Sequence, residues 1–295
     1  MQNHRVVVET LFLSKMKSLK NLISRLNYPL CNILSGVDSY KLSGIDAISF
    51  LDRISTNKIE NNLKNKSSKT ILTNNKGSII DILNYKVLDE KNILFTLESN
   101  NSKTIEYLKS LIILEDVEII KNRILSKVSI YSKDKLSDDL NFSSYDFFYQ
   151  EVLESLYMYE IYVEKKLHES MLSKFQIIDI NKKQLIDIHN NKFEFDPKLE
   201  KINPLETGLD DYVSFNKGCY VGQEVIARLH NYQKVSRSIT KFYSNHKLSI
   251  NTILKTKNNI SAKIISIVKE DKSYIGLCLV KKKDIDSVSE DYILI

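Results

Sequence analysis

Residues 217–228 read KGCYVGQEVIAR. Two of the chain's seven glycines fall within these five positions, Gly218 to Gly222, with a cysteine between them and a lysine just ahead. From Gln223 to Leu229 the apolar and charged residues take the spacing of a helix start. Gly218 and Gly222 leave the backbone before it free of Cβ, which permits positive φ and close approach to the main chain. Cys219 is therefore expected at or just before a helix N-terminus, where free amides and the macrodipole favour an anion. With Lys217 two residues away, both effects push a thiol toward thiolate, the reactive form. On the helix, Glu224 and Arg228 share a face and can pair for roughly 0.2–0.5 kcal/mol. A packed thiol in a turn is the competing reading; the flanking glycines, the lysine and the following helix weigh toward a working thiol.

Outward from this stretch, the first organised unit begins near Ser43. Ser43 and Asp46 have capping-box spacing, and Ile45, Ile48, Leu51 and Ile54 recur at helical intervals, which predicts a helix over GIDAISFLDRIS. KTILT, SIIDILNYKVL and ILFTLE follow, separated by the turn sequences NNKG and DEKN, and read as antiparallel strands. SKTIEYLKSLII carries a second helical period, and VEIIK and KVSIY two further strands. Between 135 and 200 the pattern weakens; the aromatics of SSYDFFYQEVLESLYMYEIYV read as core. SITKFYS, TILKTK, ISAKIISIVK and SYIGLCLVK are short and β-rich and predict a small barrel or sandwich from about residue 238. The class is α+β, divided as 1–39, an N-terminal extension; 40–237, the region carrying the motif; and 238–295, a C-terminal β-barrel.

The sequence of 295 residues has no run approaching the roughly 20 apolar residues of a membrane span. A formal charge of +6 could serve an acidic partner, but lysine is spread almost evenly, which favours compositional bias over a nucleic-acid surface. Three cysteines, Cys31, Cys219 and Cys278, form no CxxC pair and suit a reducing compartment. Cys278, inside IGLCLV, is expected to be a buried small hydrophobe. Glu9 breaks the first apolar run, so a secretory signal is not expected; Met16 is a second candidate start. A bacterial cytoplasm is the expectation, with a mitochondrial matrix as the eukaryotic alternative.

The string KGCYVGQEVIAR fills every fixed position of K-G-C-[FY]-x-G-Q-E-x-x-x-R, and so resembles the signature of the YgfZ-type proteins. These are folate-binding iron–sulfur cluster assembly factors related to the T-protein, the aminomethyltransferase of the glycine cleavage system. PLETGLDDYVSFN before it resembles the family's approach to the motif; SGIDAISFLDRISTNKI is similar to its first helix; TNNKGSIIDILNY resembles the hairpin that carries the T-protein's acidic residue. The resemblance implies a ring of two related α+β parts, a C-terminal β-barrel and a central channel for folate. Its signature positions are Lys217, Gly218, Cys219, Tyr220, Gly222, Gln223, Glu224 and Arg228, with Cys219 and Lys217 as the chemical groups and the rest as support. Asp81 matches the T-protein's carboxylate and is the implied cofactor-binding residue for tetrahydrofolate; no permanently bound metal is implied.

There are departures. Where the T-protein has Arg, an aliphatic, Glu, any residue and Gly, this chain offers Asp179, Ile180, Asn181, Lys182 and Lys183, and Leu97 stands where an asparagine is expected. Losing a buried carboxylate acceptor costs a few kcal/mol of affinity if its partners go unpaired, which argues against aminomethyl transfer. The leading function is thus a folate-binding accessory factor for assembly or repair of iron–sulfur clusters, [4Fe–4S] enzymes above all, acting through the motif cysteine, its partners folate and an assembly scaffold or client enzymes. A tetrahydrofolate-dependent methyl- or aminomethyltransferase is the alternative. An RNA-associated tRNA-modification factor is a third, from the basic run Arg228, His230, Lys234, Arg237 and Lys241, which no RNA-binding signature accompanies.

Overall fold

The structure is a computed structural model that describes residues 23–60, 66–136, 145–153, 156–166, 175–255, 261–284 and 292–294; Met16 and Glu9 lie outside them. The chain divides into two compact units, one of Tyr28–Ile177 with Phe195–Lys234, the other including Ile178–Glu194 and the chain from Val235 onward.

In the larger unit, strands β1 (Leu30–Ser43), β2 (Ser67–Thr73), β3 (Ile79–Asp89), β4 (Asn92–Leu97), β5 (Glu118–Ser132), β6 (Phe147–Val152) and β7 (Tyr157–Val163) form one antiparallel sheet. Its order is β2-β3-β4-β1-β5-β7-β6, and the short β8 (Gln176–Ile177) adds in parallel to β1. Helices α1 (Ala47–Ile54) and α2 (Ser102–Ser110) belong to the same unit. Phe50, Leu51, Ile54, Ile105 and Leu108 from the helices bury against Leu83, Tyr85, Val87, Ile93 and Phe95 of the sheet, each large side chain worth about 1.5–3 kcal/mol. The predicted helices and the three hairpin strands are all present.

Three local readings differ. Asp46 precedes α1 without a side-chain cap; its Oδ2 instead accepts from the Asp116 amide at 2.9 Å, so no capping box forms. VEIIK and KVSIY are one strand, β5, paired along most of β1. β1 itself, the sheet's central strand, lies ahead of the expected start at Ser43.

The sheet curls until its two edges meet. Ser67 and Ser68 of β2 bond β6 across the gap: the Phe148 amide donates to Ser67 Oγ and Tyr149 Oη to the Ser68 carbonyl, both at 3.0 Å. The aromatics of β6 and β7 are indeed core, with Phe147, Tyr159 and Tyr162 buried.

The smaller unit holds a five-stranded sheet ordered β10-β11-β12-β9-β13, from β9 (Arg237–Ser244), β10 (Ile253–Lys255), β11 (Ser261–Glu270), β12 (Ser273–Lys281) and β13 (Tyr292–Leu294). Helix α3 (Ile180–His189), which sequence periodicity misses, packs on β11 and β12, so segment 178–194 groups with the C-terminal sheet. Cys278 is buried in β12, as expected. No described helix is long and apolar enough to cross a membrane.

Candidate functional site

The motif is a lid clamped onto the N-terminal elements of the larger unit. Its approach is anchored first. Asn203 caps the single turn Pro204–Glu206, and its Nδ2 donates to the Gly77 carbonyl at 2.9 Å, while the Ile79 amide donates to the Ile202 carbonyl at 2.8 Å. Thr56 then grips the chain twice: its hydroxyl donates to the Tyr212 carbonyl at 2.7 Å, and its carbonyl accepts from the Ser214 amide at 2.9 Å.

The glycines follow from close approach. Gly222 has φ +83° and precedes helix α4 (Gln223–Asn231); a Cβ there would stand 2.3 Å from the Asn74 carbonyl oxygen and 3.0 Å from Gly77 Cα. Gly77, at φ +68° in the β2–β3 turn, faces Ile226 and Val225 of α4 at 3.1 and 3.3 Å by the same construction. Two glycines remote in sequence thus let a hairpin turn and a helix start interlock. Thr73 adds a bond from its hydroxyl to the Val221 carbonyl. Gly218 is different, since a Cβ there would meet nothing within 4 Å.

Lys217 points into the protein. Its side chain is 1% exposed, and Nζ donates to the carbonyls of Asp52, Ser55 (3.0 Å) and Asn57 (2.7 Å) and pairs with Asp52 Oδ1 at 3.0 Å. Burial pushes its pKa down, opposed by Asp52. Tyr220 is buried beneath, 5.6 Å from the ammonium, its hydroxyl pushed up to about 12 by burial. Cys219 is exposed, whereas Cys31 and Cys278 are buried, and burial raises the thiol pKa of both, Cys278 to about 12. The helix begins at Gln223, four residues beyond the thiol. Glu224 and Arg228 form no ion pair with each other among the described residues. His230 of α4 stacks on Phe215 with ring centroids 3.9 Å apart, which ties the helix back to the approach segment. Of the basic run, Arg228 and His230 lie on α4, Lys234 in the following turn, and Arg237 and Lys241 on β9.

Asp81, the residue implied for tetrahydrofolate, lies on β3, and the departures Leu97 and Asn181 lie on β4 and α3. Asp81, fully buried on β3, accepts from the Ile82 and Ser99 amides (2.8 and 3.1 Å), the Ser99 hydroxyl, and Thr104 Oγ1 at 3.0 Å in the first turn of α2. Burial raises its pKa and these bonds lower it. Leu97 is core at the end of β4, and Asn181 is exposed in the first turn of α3. A tetrahydropterin presents amine and ring N–H donors that need open acceptors. Asp81 is committed to the protein's own donors, and Leu97 offers a pterin no polar group at all. Asp81 and Leu97 do not fit the group.

One polar cluster escapes sequence reading. Inside the curled sheet, Lys69 (β2) pairs with Glu160 (β7) at 2.8 Å and Glu98 at 3.5 Å, and Lys127 (β5) with Glu98 at 2.8 Å and Glu160 at 3.1 Å. Asn84 Nδ2 joins Glu98 Oε1 (3.1 Å) and Tyr162 Oη (3.0 Å), and Asn84 Oδ1 has no partner among the described residues. Desolvation would raise the Glu98 pKa, but Lys127 and Lys69 overcome it and hold the carboxyl down at about 2. The available signal was charge at inward positions of otherwise apolar strands, as in YMYEIYV.

The curled antiparallel sheet with its helices, and the second sheet, define a protein of T-protein-like fold. The glycine cleavage system aminomethyltransferase T from Bartonella henselae superposes with a TM-score of 0.61 over 90% of this chain and 82% of its own, at 14% identity. No protein-family model and no curated protein matches the sequence.

Proposed function

We propose that the protein is an accessory factor of the YgfZ type, supporting assembly or repair of iron–sulfur clusters, [4Fe–4S] enzymes above all, through the Cys219 thiol. The observation that supports the reading is an exposed cysteine on a turn immobilised from both sides, in a chain whose other two cysteines are buried. A cluster usually takes several cysteine ligands. Contact with a cluster is then shared with a partner, a scaffold or a client enzyme, and the exposed position leaves room for one. The ring of two related parts and the C-terminal barrel belong to the same reading. Tetrahydrofolate is the ligand that the T-protein likeness implies, but Asp81 and Leu97 do not support it, so no step rests on it. Aminomethyl transfer is disfavoured for the same reason.

The test is physiological. Loss of the protein should lower the activity of oxygen-labile [4Fe–4S] enzymes while their polypeptide levels hold, and Cys219→Ala, at matched protein level, should behave like the deletion. Normal cluster-enzyme activities with Cys219→Ala would leave the motif a structural turn and end this reading.

A further inference from the structure

We infer that Lys217 serves Cys219 as a positioning residue rather than as a neighbouring charge, with Asp52 as its partner; the inference rests on the thiol reading above. An ammonium has three donors. Those of Lys217 are all consumed at the C-terminal end of α1, by the carbonyls of Asp52, Ser55 and Asn57 and by Asp52 Oδ1. A helix C-terminus is where a cation is favoured, because the last carbonyls lack intrahelical partners. With its side chain 1% exposed and its donors spent on this seat, the ammonium is directed at the end of α1 and the loop after it, whereas the Cys219 thiol is exposed.

Asp52 has a second hold. Its Oδ1 also accepts from the Ile59 amide at 2.8 Å, which fixes the loop that supplies the Ser55 and Asn57 carbonyls. Thr56, in the same loop, grips Tyr212 and Ser214. Asp52 therefore shapes the seat and Lys217 plugs into it, so the place of Cys219 is set from α1, more than 150 residues away in the chain (162 for the Lys217–Ser55 bond). A guanidinium is a planar fork and does not converge on three carbonyls as an ammonium does. Arginine should not replace Lys217.

The experiment measures iodoacetamide alkylation of Cys219 against pH in the purified full chain, with site occupancy read by mass spectrometry, for wild type, Lys217→Met, Asp52→Ala, the double variant and Asp52→Asn. Positioning predicts that Lys217→Met and Asp52→Ala change the plateau rate severalfold in the same direction, leave the titration midpoint in place, and are not additive. Asp52→Asn keeps an oxygen acceptor for Lys217 and for the Ile59 amide, so its plateau rate should lie closer to wild type than that of Asp52→Ala, and it tests the seat even if Asp52→Ala fails to fold. The inference is overturned if Lys217→Met raises the midpoint by about one pH unit or more, the signature of a nearby opposite charge. Wild-type plateau rates in every variant would overturn it equally. Because alkylation is read without any cluster enzyme, failure here leaves the physiological comparison standing, and failure there leaves this one.

Discussion

Gly222→Ala and Gly218→Ala place the same methyl group four residues apart in one motif, and the structure assigns them opposite outcomes. At Gly222 the backbone holds φ +83°, which costs an L-residue roughly 1–2 kcal/mol. The added Cβ would also lie 2.3 Å from a main-chain oxygen, that of Asn74, which cannot rotate away. Shifting the hairpin turn to admit it adds about 1–3 kcal/mol, the usual penalty for overpacking. The sum is about 2–5 kcal/mol. For a chain of this size that corresponds to a melting temperature lower by roughly 3–8 °C. Gly218 has open space around its Cβ position and no positive φ, so Gly218→Ala should fall within about 0.5 kcal/mol of wild type. Scanning calorimetry on both variants, with urea unfolding as a second measure, checks the contrast. Equal stabilities, or Gly218→Ala the weaker of the two, would refute the interlock of the motif with the β2–β3 turn.

In the folded protein, a neutral alkylating reagent should label Cys219 alone, while Cys31 and Cys278 react only after denaturation; peptide mapping before and after urea reads this directly. The Glu98 carboxyl is held down to about 2 in the folded state, below its ordinary value. Its contribution to stability is therefore full above the unfolded carboxylate range, near pH 4.5, and is lost as pH falls from there toward 2. Urea titrations stepped across that window should show the loss, and Glu98→Gln should flatten it; an equal slope in wild type and variant would remove the ion-pair square from the account.

How far the sequence carried depended on where the deciding groups were encoded. Helix α1 and the β2–β3–β4 hairpins were legible because local period and turn residues such as NNKG and DEKN specify them within a dozen residues. The central strand β1 was not: LCNILSGVDSYKLS mixes polar and apolar residues, and the strand bulges between Ser35 and Val37 as it pairs with β5. β5 read as two strands because residues 120–124 between its halves are exposed and largely polar. The motif itself showed that glycine was required, but the reason lies in Asn74 and Gly77, which no local pattern connects to it. Lys217 illustrates the same limit. Proximity in sequence suggested that its charge acts on Cys219, and the side chain is buried instead against carbonyls at the end of α1 and in the loop after it. The Lys69–Glu160 pair joins β2 to β7, which only the curl of the sheet brings together, and Lys127–Glu98 joins β5 to the end of β4 across β1.

The remote clamp also sets a timetable for synthesis. The carbonyls at the end of α1 and the Thr73 hydroxyl leave the ribosome long before their partners, with 162 residues separating Ser55 from Lys217 and 148 separating Thr73 from Val221. At about 5–20 residues per second, the nascent sheet waits roughly 7–30 s for its lid. Throughout that interval the hairpin turn at Gly77 and the α1 end are uncovered, and a chain truncated before Lys217 never covers them. A quality-control system that samples nascent chains would find its opening there, and closure of the larger unit would wait for the segment that carries Cys219.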